Sequence, residues 1–508
     1  MRREALSSLP GRVDLVIIGG GITGAGLFRE ASRLGLNVLL LEQADFASGT
    51  SSGSSKLVHG GLRYLKTGQW NLTLESVRER QRLLREAAGL VERQPFLMPL
   101  YRGMKPGRTA LRFGLWLYDR MAGSGHAPSR YIDAAQALAL EPSLRRTGLL
   151  GAMLYDDART DDARLVLRLI FESAGRRAIA RNYTRAVELL RADGKVCGVG
   201  VQDLLDSSVR EIHAAMVINA TGAWAEGLSQ GEAPRLRPLR GSHFVFPAAK
   251  LPLGRAVSWL HPRDRRPIFA YPWEGATLYG TTDLDHNESR YQHPRMSPDE
   301  HQYLLEGLAH QFPDLQLHAG DATSIYSAVR PVVAGGKADP SAESRESALW
   351  SAPGVVGITG GKLTTFRVTA RQVLAKAAEQ DPRFVPGAGR LFAETPSAQR
   401  LDGRLGSAAV RMREEMLAIE QAPLGETPYS LAELRWAARH EQVVHLDDLL
   451  LRRTRIGLIA PHGGRALLQQ VQPICEAELG WSAELWQDKV RRYLELWQRD
   501  HAPTLTVS

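Results

Sequence analysis

An α/β fold with an inserted antiparallel sheet and a helical C-terminal domain is predicted for this 508-residue chain from three features. Residues 13–42 run strand, glycine turn, helix, strand, acid. Short β-rich segments at 242–248, 267–273 and 276–282 alternate with Gly, Pro and charged turns, the mark of an antiparallel sheet. Beyond about residue 409 the chain is helical in pattern and bears tryptophans.

The first feature reads VDLVIIGGGITGAGLFREASRLGLNVLLLE. Gly19, Gly21 and Gly24 match G-x-G-x-x-G: one glycine for the tight turn, one for backbone approach to a pyrophosphate, one for packing helix on strand. The helix N-terminus offers N–H groups and partial positive charge to the phosphates. Glu42 ends the second strand, where it can accept both hydroxyls of an adenosine ribose. An acid there argues against a 2′-phosphate, so FAD or NAD is favoured over NADP.

Further elements are expected as helices at 74–93, 110–120 and 161–181, and as strands at 183–190, 195–202, 211–219 and 354–359. The Gly-, Pro- and Ser-rich stretch 381–408 reads as a linker. Hydrophobic residues make up 44% of the chain, enough for real cores. No run reaches the roughly 20 apolar residues that span a bilayer, and residues 1–12 lack the apolar core of a signal peptide. A cytoplasmic protein is expected. Cys197 and Cys475 form no motif, so neither a disulfide nor a metal site is expected. The net charge of +9 admits an anionic substrate, an anionic membrane surface or nucleic acid. The basic groups RPLR (237–240), RDRR (263–266) and LRRTR (451–455) are scattered, which argues against nucleic acid.

Three segments converge on a ligand. GTSSGSSKLVHGGLRYL (49–65) follows the ribose-binding strand at the edge where ligands sit. Its small residues, Thr50, Ser51 and Ser52 among them, allow close backbone approach, and Lys56 and His59 are placed on the cofactor side. NATGAW (219–224) ends a strand in a small-residue turn carrying Thr221 and Gly222. TGGKLTTFR (359–367) puts Gly361, Lys362, Leu363 and Thr364 at a helix start that can stabilise negative charge on a ring as it is reduced. Val187, on the strand at 183–190, is also placed at the cofactor.

The chain resembles the FAD-dependent glycerol-3-phosphate dehydrogenases through IGGGITGAG, TSSGSSKLVHGGLRYL, DDARLVL, NATGAW, GSH, YGTTD, VRP and GGKLTTFR, in that order, and through the helical tail at 433–458. The resemblance implies FAD rather than NAD, and a Rossmann-like domain of the glutathione-reductase/D-amino-acid-oxidase type. It implies oxidation of sn-glycerol 3-phosphate to dihydroxyacetone phosphate, with a membrane quinone as acceptor at the inner face of the cell membrane. On this reading 1–82, 150–235 and 320–380 form a discontinuous FAD-binding domain, and 83–149 and 236–319 form the substrate domain. Residues 409–508 form the helical domain.

Resemblance carries Arg63, Tyr64, His243, Thr281, Arg330 and Lys362 over as substrate-side residues. Arginine suits phosphate because its planar fork donates paired charge-assisted hydrogen bonds. His243 is the expected proton acceptor, Tyr64, Thr281 and Thr282 can donate hydroxyls, and Lys362 can raise the electron affinity of a flavin. The chain departs from the pattern at 332–347, which is Gly/Ala/Ser-rich, and at Phe366, where tyrosine is usual. Alternatives are an oxidase returning electrons to O2, a D-amino-acid-oxidase-like enzyme on another substrate, and a non-catalytic flavin-binding or RNA-modifying scaffold. The stretch 110–121, ALRFGLWLYDRM, is either a membrane-facing patch or a core helix. A second copy of the chain is an expected candidate partner.

Overall fold

The computed structural model describes residues 3–62, 68–123, 127–228, 233–288, 293–338, 340, 343, 345–393 and 399–504. In chain order the strands are β1 (Arg12–Ile18), β2 (Val38–Leu41), β3 (Val91–Tyr101), β4 (Arg130–Asp133), β5 (Leu149–Thr160), β6 (Ala178–Arg181), β7 (Thr184–Ala192), β8 (Lys195–Asp203), β9 (Val209–Asn219), β10 (Leu236–Pro247), β11 (Ala256–Leu260), β12 (Pro267–Trp273), β13 (Ala276–Gly280), β14 (Leu284–Asp285), β15 (Ser324–Val333), β16 (Ser347–Ala352) and β17 (Val355–Gly360). The main helices are α1 (Ile22–Ser32), α2 (Trp70–Glu86), α3 (Arg108–Ala122), α4 (Asp162–Ser173), α5 (Pro298–Gln311), α6 (Phe366–Ala378), α7 (Leu431–His440), α8 (Leu468–Leu479) and α9 (Ala483–Asp500).

Among the described residues the strands form two sheets. In the first, β17, β9, β1, β2 and β6 run parallel in that order, with β16, β8 and β7 added antiparallel. Its central strands are buried along most of their length, as a parallel sheet covered on both faces requires. Register places Ile18 beside both Leu41 and Asn219. The carboxyl ends of β1, β2 and β9 therefore finish together, which is where an open parallel sheet binds ligands. Helix α1 packs on α4 and α6. Phe366, the departure from the expected tyrosine, is buried in this layer beneath Gly26, where an added Cβ would come within 2.7 Å of its ring. The missing hydroxyl is thus a matter of packing between helices.

The second sheet runs β14-β10-β13-β12-β11-β3-β5-β4, with β15 on β10. Every pairing in it is antiparallel except β3 with β11, where the expected all-antiparallel sheet is corrected. Strands β5 and β15 lie in this sheet, although sequence boundaries at 150 and 320 put them with the nucleotide part. Asp161 alone joins the end of β5 to α4, and β15 also touches β17 of the first sheet.

Two expected helices are shorter than their patterns. The one expected over 74–93 ends at Glu86, and 91–93 open β3. The one expected over 161–181 ends at Ser173, and Ala178–Arg181 is β6, hydrogen-bonded parallel to β2. The arginines read as a helix C-terminus belong to that turn and strand.

The helical C-terminal region is not separate. Leu434, Leu450, Ile456 and Trp497 share one apolar core with Phe96, Tyr271 and Trp273 of the second sheet. Nor is 381–408 a free linker in its described part. Phe384, Leu391 and Phe392 are buried in the core around α1, and buried Arg404 pairs with Asp161. Gly and Pro there mark turns, which pack as well as helices do. No helix among the described residues is long and apolar enough to cross a membrane.

Candidate active site

Backbone geometry makes the first part of the site. Gly19 has φ +111°, and a Cβ on it would lie 2.5 Å from Ala220 O, so β1 turns directly against the end of β9. A Cβ on Gly24 would lie 1.8 Å from Gly19 O, so α1 starts in contact with the turn. Ser51 Oγ accepts the Ile22 N–H at 2.9 Å, and the following N–H groups of the first turn have no intrahelical acceptor. Glu42 Oε2 accepts from Gly20 N–H at 2.7 Å and Oε1 from Ala44 N–H at 2.9 Å. Each oxygen keeps a lone pair for a further donor. Burial raises the Glu42 pKa against the pull of these two N–H groups.

The other segments close on this edge. Thr221 N–H and Oγ1 both donate to Asn219 Oδ1, at 3.2 and 2.7 Å. Thr359 Oγ1 donates to Gly222 O at 2.9 Å, and Thr364 Oγ1 donates to His59 O at 3.0 Å. The turns after β9 and β17 are thereby tied to each other and to the serine loop. Lys362 Nζ, just before α6, donates to Ser76 Oγ at 3.2 Å. Gly361 has φ +82°, and Leu363 packs against the core around α1.

The serine loop hangs on a buried ionic network. Asp162 Oδ2 accepts from Ser54 N–H and Oγ at 3.0 and 2.7 Å. Its Oδ1 pairs with Lys56 Nζ at 3.0 Å and with Arg455. Lys56 Nζ also donates to Ser52 O at 2.7 Å and lies over the rings of Trp273 and Tyr326. Burial pushes its pKa down to about 8 against the attraction of Asp162. Lys56, expected to face the cofactor, thus turns its ammonium to Asp162 and holds the loop from behind. Thr50 Oγ1 likewise donates to Val329 O at 2.5 Å, and Ser52 Oγ to Gly49 O at 3.5 Å. The LRRTR run is buried too: Arg452 and Arg453 bind Asp45, Arg455 binds Asp161 and Asp162, and Arg164 clasps Glu441. It is an internal clamp on the nucleotide loops, not a surface patch.

The candidate reactive groups, His243 and Arg330, lie where the second sheet meets the loop. His243 on β10 stands opposite Tyr326 on β15 and Gly280 on β13. Its ring stacks on Tyr326 at 4.7 Å between centroids, and Nε2 lies 2.9 Å from Ser55 Oγ. His243 is 0% exposed, and its Nδ1 has no hydrogen-bond partner among the described residues. Burial, then Arg330 and Lys56, hold its pKa well below the ordinary value, so the imidazole is neutral.

Arg330 crosses Gly241, where a Cβ would come within 2.1 Å of its guanidinium. Arg330 Nη1 donates to Asp283 Oδ1 at 2.9 Å and Nη2 to Thr281 Oγ1 at 3.1 Å. Asp283 also takes Arg345 at 2.6 Å. Burial opposes this charge, but Arg330, Arg345 and Arg266 outweigh it and hold the carboxyl down to about 2.

Gly19, Gly21, Gly24, Glu42, Ser51, Thr221, Gly222, Gly361 and Thr364 therefore meet at one edge, with His243, Thr281 and Arg330 across the loop. Val187 stands apart, 46% exposed at a bulge of β7, because the extra residue turns its side chain to solvent. Arg63 and Tyr64 lie outside the described residues. Sequence reading did not single out Ser55, Asp162, Asp283 or Arg345. Only the aspartate after YGTT carried a local signal, an acid next to the expected phosphate site.

A glycine-turned parallel sheet with an acid at the ribose position, facing a second sheet that carries a buried histidine and an arginine, defines a dinucleotide-dependent enzyme. A family model described as FAD dependent oxidoreductase matches residues 14–376, and one described as the C-terminal domain of alpha-glycerophosphate oxidase matches 359–485. The chain is 34% identical to glycerol-3-phosphate dehydrogenase 2 of Mycobacterium tuberculosis over 95% of its length and 87% of the relative's. It is 37% identical to the aerobic glycerol-3-phosphate dehydrogenase of Bacillus subtilis over 71% of its length and 66% of the relative's. Among solved structures it is similar to the glycerol-3-phosphate dehydrogenase of Bacillus halodurans complexed with FAD, with a TM-score of 0.75 and 26% identity over 98% of this chain and 97% of that one. The chain belongs to the FAD-dependent glycerol-3-phosphate dehydrogenase/oxidase family.

FAD is its cofactor, and the residues fit it. The close approaches at Gly19 and Gly24 leave a side-chain-free cradle at the start of α1. Glu42 keeps acceptor capacity for ribose hydroxyls, and Lys362 brings a cation to the start of α6.

Proposed function

We propose that the chain oxidises sn-glycerol 3-phosphate to dihydroxyacetone phosphate and passes the electrons to a membrane quinone. The substrate reading rests on Arg330: a partly exposed guanidinium, fixed by Asp283 and Thr281, within the electrostatic reach of a neutral buried His243. Arg330 binds the phosphate dianion, aided by Arg63 and Tyr64 from the loop. Thr281 Oγ1 accepts from Arg330 and donates to Thr282 O at 3.1 Å, so it orients the guanidinium for the substrate, and His243 is the sink for the hydroxyl proton. FAD, when bound, supplies the hydride acceptor, and Lys362 favours negative charge beside it.

The quinone reading is supported by α3. Leu115, Tyr118 and Ala122 bury one face, while Phe113 and Trp116, 63% and 50% exposed and stacked at 5.9 Å, stand on the other among exposed Arg108, Arg112 and Arg120. Apolar rings among cations suit an anionic membrane surface. An O2-linked oxidase is the second reading, favoured by the match of 359–485 to the oxidase C-terminal model. Steady-state turnover of glycerol 3-phosphate with a short-chain quinone, against air with peroxide detection, tests the acceptor. Fast quinone reduction with little peroxide is expected. Stoichiometric peroxide and no quinone reduction overturn the quinone assignment.

A further inference from the structure

His243 is 0% exposed, so an alcohol bound in solvent-accessible space does not touch its ring. One neighbour bridges that gap. Ser55 Oγ is 2.9 Å from Nε2, and Ser55 is itself only half-buried. Its backbone is fixed on both sides: Tyr271 Oη donates to Ser55 O at 2.5 Å, and Tyr326 Oη donates to Ser54 O at 2.9 Å. Ser54 N–H and Oγ are held by Asp162. The backbone that carries the hydroxyl is therefore held in place, the hydroxyl itself is directed by its contact with Nε2, and Tyr326 also stacks on the imidazole.

From this geometry we propose that Ser55 is the proton carrier between the substrate hydroxyl and His243. This rests on the alcohol-oxidising reading above. In the step the substrate O–H proton passes to Ser55 Oγ as the serine proton passes to His243 Nε2. The carbinol C–H bond breaks with its electron pair going as hydride to oxidised FAD, and the C–O bond becomes a carbonyl. Nε2 must accept, so the neutral ring carries its proton on Nδ1, the nitrogen without a hydrogen-bond partner among the described residues. Burial, Arg330 and Lys56 hold the ring neutral, so Nε2 carries a lone pair toward the Ser55 hydroxyl.

The test uses the FAD-loaded full chain with Ser55→Ala and Ser55→Thr. Anaerobic stopped-flow bleaching by glycerol 3-phosphate should slow by about 10²- to 10⁴-fold in Ser55→Ala, the range for a positioned proton-transfer group, and recover largely in Ser55→Thr. Flavin content should not change. Independently of turnover, ¹⁵N-histidine NMR should show the His243 Nε2 signal, identified by its loss in His243→Gln, moving in Ser55→Ala and returning in Ser55→Thr. Wild-type bleaching with an equally fast Ser55→Ala, or an unmoved Nε2 signal, overturns the relay. Failure of the wild-type flavin to bleach overturns the substrate reading instead.

Discussion

Asp162→Asn should damage both stability and flavin binding from a position that touches neither solvent nor ligand. The side chain is 0% exposed and anchors Lys56, Ser54 and Arg455. Asparagine keeps the shape, removes the charge and leaves two buried cations with only Asp161 close by. Breaking a buried pair from one side costs about 3–5 kcal/mol, because the remaining charge stays desolvated. With an unfolding entropy of about 2 cal/mol/K per residue, a cooperative 508-residue unit loses roughly 3–5 °C of Tm. The loop carrying Thr50 and Ser51 loosens as well, so flavin affinity should fall. Differential scanning fluorimetry and the flavin-to-protein absorbance ratio after gel filtration read the two effects. Lys56→Met added to Asp162→Asn should restore part of the Tm by removing one stranded cation. A single variant with wild-type Tm and full flavin would refute the assignment of Asp162 as the anchor.

Other outcomes follow from the same contacts. Gly24→Ala places a Cβ 1.8 Å from Gly19 O, so α1 must shift; the variant should purify with little FAD, measured by the same absorbance ratio. Asp283 is held at about 2 against an ordinary 3.8, so its stabilisation, about 2 kcal/mol, is full above pH 3.8 and is lost as pH falls through about 2. Between pH 5 and pH 2, Asp283→Asn should therefore lose less stability than wild type in urea titrations. Phe113→Ser/Trp116→Ser should reduce flotation with anionic liposomes by 10-fold or more at low salt, while soluble-acceptor turnover stays at the wild-type level.

Local physics made the first part of the site legible. β1, the glycine turn, α1, β2 and Glu42 are adjacent in sequence, and each glycine answers a close approach within that unit. His243 and Arg330 could be named from their motifs, but not their juxtaposition, which depends on the β10–β15 register. The buried ion pairs were not legible for one reason: their partners are distant in sequence. Arg453 looks like a surface cation until it meets Asp45, 408 residues away, and Arg164 finds Glu441 across 277. Arg176–Arg181 continued a helical pattern because only the edge of β2, which is not encoded nearby, makes β6 a strand. Charge in a sequence suggests solvent; burial with a partner is a property of the fold.

On the proposed function, the glycine-turned edge and the His243–Arg330 pair face one another across a bound FAD and oxidise glycerol 3-phosphate. Anaerobic mixing of the FAD-loaded protein with sn-glycerol 3-phosphate measures this most directly, through the flavin band near 450 nm. Complete bleaching is expected, at least 100-fold slower in Arg330→Ala at subsaturating substrate and unaffected by glycerol lacking the phosphate. An oxidised band that persists with glycerol 3-phosphate would rule out this substrate and the role of the His243–Arg330 pair.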